Sequence, residues 1–222
     1  MNCLLCDTSF EQHRTFREIF LLMKNSPSVC STCSKQFESL EGGCHFCCKA
    51  GEAAICKDCQ YWASLGQELQ HYALYHYNDS LQDYFSKYKF LGDYRLRQVF
   101  RGEIKTALKR MRPAVFVPIP ISEKRLQKRG FNQVEGLLAA AGISYYPLLN
   151  KSVDEKAQSS KGRYERLRLG KIFQINPEIS LDFSSRIVLV DDIYTTGATI
   201  HSAVATLKEA GYLSVTSFSL AR

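Results

Sequence analysis

From residue 69 onward the apolar positions recur with two different periods. Segment 69–77 alternates apolar and polar residues and is rich in Tyr and His, which predicts a strand. A helix is predicted over 79–89, with Asn78/Asp79 at its start and Gly92 to end it. Leu96, Val99, Phe100, Ile104 and Leu108 keep close to helical spacing, so 94–110 reads as helical too. Segment 114–120 predicts a buried strand ended by prolines, and 131–141 a helix closed by Gly142. An apolar, β-branched strand over 187–190, a helix over 198–210 closed by Gly211 and a strand over 215–220 complete the pattern. Strand–helix alternation with short connections implies an α/β domain with a mostly parallel sheet. Ligands of such a sheet lie beyond the carboxyl ends of its strands.

The first 60 residues follow neither period. All nine cysteines of the 222-residue chain fall there, eight of them as CxxC pairs: Cys3/Cys6, Cys30/Cys33, Cys44/Cys47 and Cys56/Cys59. A CxxC turn brings two thiolates to one ion, and two such turns complete a tetrahedral site. Four pairs in series therefore predict two structural Zn²⁺ sites, with Cys48 left over and His45 a spacer. Sequential pairing and a crossed arrangement both satisfy the spacing, and an iron–sulfur cluster uses the same ligand set. Four thiolates leave no open position for a substrate, so the sites are structural. A segment this short has little core of its own, and metal binding supplies its folding free energy. We therefore expect a zinc-binding module over 1–66 and an α/β domain over 67–222. Phe16, Ile19, Phe20, Leu22 and Met23 add an apolar patch between Cys6 and Cys30, suited to packing on the rest of the chain or to a partner.

Composition narrows the class. Apolar residues make up 45% and charged residues 23%, which is globular composition. No run approaches the roughly 18 apolar residues of a membrane helix. Cysteines stand where a secretion signal would carry basic residues, so a cytoplasmic protein is expected. The net charge is +7, and it is unevenly spread: 87–130 carries 13 basic and 3 acidic residues, 151–171 carries 7 and 3. Such a bias suits an anionic partner, phosphate or nucleic acid, as well as a solvated basic surface. Lys87, Lys89, Arg125, Lys128 and Arg129 are the candidate nucleic-acid contacts. Tyr88, Phe90, Tyr94 and Phe131 are aromatics that either stack on bases or fill the core.

The chemistry concentrates in Val188-Leu189-Val190-Asp191-Asp192-Ile193-Tyr194-Thr195-Thr196-Gly197-Ala198-Thr199. A buried strand delivers two adjacent carboxylates, and a hydroxyl-rich turn with a glycine then opens a helix. The turn offers backbone N–H groups and a helix dipole to a phosphate, while carboxylates one residue past the strand meet sugar hydroxyls. Ordinary capping by the aspartates is the competing reading, and it leaves two like charges at a strand end unexplained. The segment resembles the phosphoribosyl-diphosphate (PRPP) signature of type I phosphoribosyltransferases. By that resemblance Asp191 and Asp192 hold the ribose hydroxyls and Thr195, Thr196, Gly197, Ala198 and Thr199 form the 5′-phosphate loop. The loop after Pro120, with Lys124 and Arg125, takes the place of the pyrophosphate loop, and Lys161 and Arg166 lie where a mobile hood sits. Mg²⁺ would accompany PRPP. No base-specific element follows the last strand, so the acceptor of any transfer is open.

Two further segments sharpen the resemblance: Val117-Pro118-Ile119-Pro120 leading to Arg129-Gly130-Phe131-Asn132-Gln133, and Lys87-Tyr88-Lys89-Phe90-Leu91-Gly92 upstream. With the four CxxC pairs, they make the whole chain similar to the ComF family of ComFC type, found in transformable bacteria. The resemblance implies a type I phosphoribosyltransferase-like parallel sheet behind a small amino-terminal zinc-binding module. It also implies a role in handling single-stranded DNA during natural transformation, alongside a DNA-translocating helicase of ComFA type. Active glycosyl transfer from PRPP to an unknown acceptor is the alternative.

Overall fold

The computed structural model describes residues 1–11, 28–52, 54–151 and 172–222. The apolar patch between Phe16 and Met23, and Lys161 and Arg166 with the proposed hood, lie outside those residues. Two short helices, α1 (Ser31–Ser34) and α2 (Lys57–Ser64), start within the second and fourth CxxC pairs, capped by Cys30 and Cys56. Then come β1 (His71–Tyr75), α3 (Asp79–Lys89), a 3₁₀ turn (Tyr94–Gln98) and α4 (Arg101–Arg110). They are followed by β2 (Val115–Pro118), α5 (Glu123–Arg129) and α6 (Gln133–Ala141). A small antiparallel pair, β3 (Leu149–Lys151) and β4 (Phe173–Ile175), precedes β5 (Ile187–Ile193), α7 (Ala198–Glu209) and β6 (Val215–Ala221).

The main sheet has four strands in the order β1-β6-β5-β2, all parallel. This is the expected α/β, phosphoribosyltransferase-like parallel sheet. β5 is central, and its alternation sorts side chains to the two faces. Val188 and Val190 join the core under α3, α4 and α6, with Tyr84, Phe100, Leu108 and Leu138. Ile187 and Leu189 face the other way, onto Ile200, Val204 and Leu207 of α7 and onto Cys44, Cys47, Cys56 and Cys59. The amino-terminal segment also covers the β1 edge. Leu40 N–H donates to the Leu74 carbonyl at 2.9 Å and His71 N–H to that of Phe46 at 2.7 Å. An otherwise unpaired strand edge is thereby satisfied.

Three sequence expectations change. The stretch 94–110 divides, because Phe100 leaves helical geometry (φ −106°, ψ 17°). That break lets Leu96 and Phe100 both meet Tyr84, whose hydroxyl donates to the Leu96 carbonyl at 3.3 Å. Tertiary packing outweighs the period. The helix expected from Phe131 begins at Gln133, with Asn132 as its cap accepting from Val134 N–H at 3.0 Å. Phe131 instead packs on Tyr88 and Tyr94. The third change bears on the site: β5 runs on to Ile193, so both aspartates lie within the strand, with Asp191 paired to Ser219 of β6.

Candidate functional site

A cleft of about 490 Å³ opens at the carboxyl ends of β2 and β5. Ile119, Pro120 and Ile121 form one wall, and Asp191, Asp192 and Ile193 the floor. Thr199 of α7 contributes from one side and Lys89, Phe90, Gln133 and Lys151 from the others. The segment after Pro120 is a helix rather than a loop, α5, started by Ser122, whose hydroxyl accepts from Arg125 N–H at 3.4 Å. Helical spacing puts Arg125, Lys128 and Arg129 on the face toward the cleft. Lys124 is not among the cleft-lining residues. Gly130, in left-handed conformation (φ 80°), ends α5 and lets the chain reverse into α6.

The two carboxylates differ. Asp192 is buried and paired: Lys89 Nζ lies 2.8 Å from its Oδ2, and Gln133 Nε2 donates to the same oxygen at 2.6 Å. Lys89 itself is only 13% exposed and sits 4.3 Å above the Phe85 ring. Asp191 is half-buried on the opposite face and accepts the Asp192 backbone N–H at 2.8 Å. Burial first, then the Asp192 charge, pushes its carboxyl up to about 7. The charges of Lys89 and Lys151 oppose that shift without cancelling it.

The turn after β5 is held from behind. Gly197 has φ +83°, and a Cβ there would meet the Tyr194 hydroxyl, so only glycine fits. Thr195 is exposed, and Thr196 and Ala198 are buried. Among the described residues, the N–H groups of Thr195, Thr196 and Gly197 have no backbone acceptor. Successive free N–H groups leading into a helix form an anion-binding concavity.

Of the candidate basic residues, Lys89, Arg125, Lys128 and Arg129 meet in the cleft. Lys87 lies on the outer face of α3, 2.8 Å from Asp83. Among the aromatics, Tyr88 is fully buried with its hydroxyl on the Gln133 carbonyl at 2.9 Å. Phe90 is 75% exposed at the rim. Gln133 and Lys151 line the cleft, and sequence reasoning did not single them out. Gln133 belongs to the 129–133 segment that carries the family resemblance. Trp62 and Arg222 stand behind the turn after β5, on the carbonyls of Thr196 and Tyr194, through contacts far along the chain.

The cysteines gather in sequential order. Cys3, Cys6, Cys30 and Cys33 form one cluster and Cys44, Cys47, Cys56 and Cys59 the other. Within each cluster all four sulfurs lie within 4.8 Å of one another. In the first, hydrogen bonding with Thr8 holds the Cys6 thiol down to about 6, while burial and its neighbours push Cys33 up. In the second, Cys47 is held down to about 5, first by its hydrogen bond with Cys59 and further by Arg222, and Cys59 is pushed up in return. Four thiols at this distance cannot all ionise without a cation among them, so the donor sets fit a tetrahedral thiolate-bound ion such as zinc. Cys48 is left out, its Sγ on the His71 carbonyl at 3.3 Å. No helix among the described residues is long and apolar enough to cross a membrane.

No protein-family model matches the chain. Individual relatives do. "Competence protein ComFC" of Streptococcus pneumoniae is 43% identical over 223 residues, covering 100% of both chains. "Competence protein ComFC" of Bacillus subtilis is 35% identical over 233 residues, covering 99% of this chain and 94% of that protein. "Competence protein F" of Haemophilus influenzae is 24% identical over 210 residues, 76% of this chain and 90% of the relative. A two-cluster cysteine segment on a parallel α/β sheet, with identities of 43% and 35% along the full length, makes this chain a member of the ComFC family of competence proteins.

Proposed function

We propose that this protein serves natural competence as a cytoplasmic sugar-phosphate-binding protein that assists the handling of incoming single-stranded DNA. The observation that carries the reading is the cleft: the Asp191 carboxyl and Thr199 at the start of α7 share one cavity with Arg125, Lys128 and Arg129, and the turn whose N–H groups lack a backbone acceptor leads into that helix. PRPP with Mg²⁺, or a related nucleotide, matches that distribution. The 195–199 turn takes the 5′-phosphate, Asp191 takes the ribose hydroxyls, and the α5 cations take the pyrophosphate. Zn²⁺ occupies both cysteine clusters as a structural ion, within a module spanning 1–66 against a phosphoribosyltransferase-like domain spanning 67–222. The same cations, with Phe90 at the rim, suit the phosphates and a stacked base of single-stranded DNA. A ComFA-type helicase is the partner that would deliver the strand.

A second reading rests on one observation. A carboxyl near pH 7 in a cleft is placed to move a proton, which favours an active transferase acting on an unidentified acceptor. Calorimetric titration with PRPP·Mg²⁺, and with a single-stranded oligonucleotide at about 50 and about 200 mM salt, tests the proposal. Binding of PRPP that Asp191→Asn abolishes, and DNA binding that falls steeply with salt, are expected. Absence of both would refute it. Release of pyrophosphate in the presence of a cell extract would favour the second reading.

A further inference from the structure

The turn that follows β5 is tied to the second cysteine cluster by two residues far apart in the chain, Trp62 and Arg222. Arg222 uses its guanidinium in both directions. Nη2 donates to Cys47 Sγ at 3.0 Å and Nε to the Cys47 carbonyl at 3.0 Å. Nη1 donates to the Tyr194 carbonyl at 3.3 Å and to the Thr195 carbonyl, and the group lies 4.8 Å over the Tyr194 ring. Trp62 sits on α2, the helix that carries Cys59, and is 5% exposed. Its Nε1 donates to the Thr196 carbonyl at 2.9 Å, and its ring stacks on His201 of α7 at 4.0 Å and 14°.

Three consecutive carbonyls, those of 194, 195 and 196, are thus drawn toward the cysteine cluster. In a trans peptide the next residue's N–H points opposite to the carbonyl. Holding those three carbonyls back therefore turns the N–H groups of Thr195, Thr196 and Gly197 the other way, and they are the groups without a backbone acceptor. Gly197, with φ +83°, lets the chain enter α7 without losing that arrangement. The contacts span 175 positions for Cys47–Arg222 and 134 for Trp62–Thr196, so no local preference of the turn explains them.

We infer that Arg222 and Trp62 are positioning residues that brace the 194–197 turn against the second cysteine cluster, preorganising its N–H groups for a phosphate monoester. The inference rests on the phosphate reading of that turn and adds what sets its affinity. A zinc-bound thiolate keeps its negative charge, so Cys47 remains an acceptor for Arg222 when the ion is present. The first cluster makes no such contact among the described residues.

The test uses the full-length zinc-loaded protein and ribose 5-phosphate as probe. Arg222→Ala should weaken its binding about tenfold or more, as loss of hydrogen bonds from a charged group does. Trp62→Phe, which keeps the stacking and removes the donor, should weaken it by a smaller factor, and both should retain two zinc ions per chain. Amide hydrogen exchange at 195–199 should quicken in both variants. If Arg222→Ala fails to fold, Trp62→Phe carries the test alone. Unchanged affinity with unchanged exchange would overturn the brace. Wild-type protein that ignores ribose 5-phosphate would refute the phosphate reading instead, and the exchange rates would still decide whether the brace holds the turn.

Discussion

The two faces of the central sheet are built from different materials. Beneath α3, α4 and α6 the core is hydrocarbon and aromatic, with Tyr84, Phe100, Leu108, Phe116 and Leu138 almost wholly buried around Val188 and Val190. On the α7 side, four cysteines share the core with Ile187 and Leu189. The adjacent aspartates of β5 inherit that difference. Asp192 enters the aromatic side, where Lys89 neutralises it and Gln133 donates a hydrogen bond to it. Asp191 faces the cysteine side of the sheet, and burial raises its carboxyl to about 7. Two identical residues thus divide into a buried ion-pair member and a carboxyl raised toward neutrality, and pleat alternation directs them to opposite faces.

The largest loss of stability is expected from substitutions on the cysteine side. Cys56→Ser should reduce bound metal from two ions to one and cost at least about 4 kcal/mol, beyond the range of ordinary single substitutions. Cys56 is fully buried in the core shared with the sheet, so both parts of the chain should lose stability together. Cys3→Ser should also lose one ion, yet its cluster packs chiefly on Leu5, Phe10 and Val29, and the α/β domain should survive. Denaturant melts with metal analysis distinguish the two. Equal stability losses would show that the clusters are equivalent.

On the aromatic side, Lys89→Ala leaves the Asp192 carboxylate buried without its cation and should cost about 3–5 kcal/mol. Removing both charges by Lys89→Met with Asp192→Leu should recover most of that loss. If the single variant melts like the wild type, the pair is not what neutralises Asp192.

Much of this arrangement is legible in the sequence because it rests on local periods. The β5 strand, the α7 helix and the CxxC turns each declare themselves within a dozen residues. The two readings of cysteine pairing needed three dimensions, since both satisfy the spacing. The strand's true end at Ile193 was hidden because two aspartates read as a stop, while pairing with Ser219 and Ala221 of β6 carries the ladder through them. Lys151 reaches the cleft, and Trp62 and Arg222 the turn behind it, only through contacts made by folding, and a composition or period carries no mark of those.

A smaller effect concerns stability against pH. The Asp191 carboxyl is raised from 3.8 to about 7 on folding, so the folded chain holds a proton that the unfolded chain releases. The associated stability is present below about pH 4 and is lost as pH rises through 7, with a slope of at most about 1.4 kcal/mol per unit. Melting curves from pH 5 to 8 should show that slope in the wild type and a flatter one in Asp191→Asn.

The most direct measurement is the affinity for PRPP·Mg²⁺ by calorimetry across pH 6 to 8, in the wild type and in Asp191→Asn. The ionised carboxylate is the better acceptor for ribose hydroxyls, so wild-type affinity should rise by up to about tenfold per pH unit below 7 and level off above it. Asp191→Asn should bind far more weakly, with this rise absent. An affinity that ignores both the pH and the substitution would contradict a sugar-phosphate site at the end of β5.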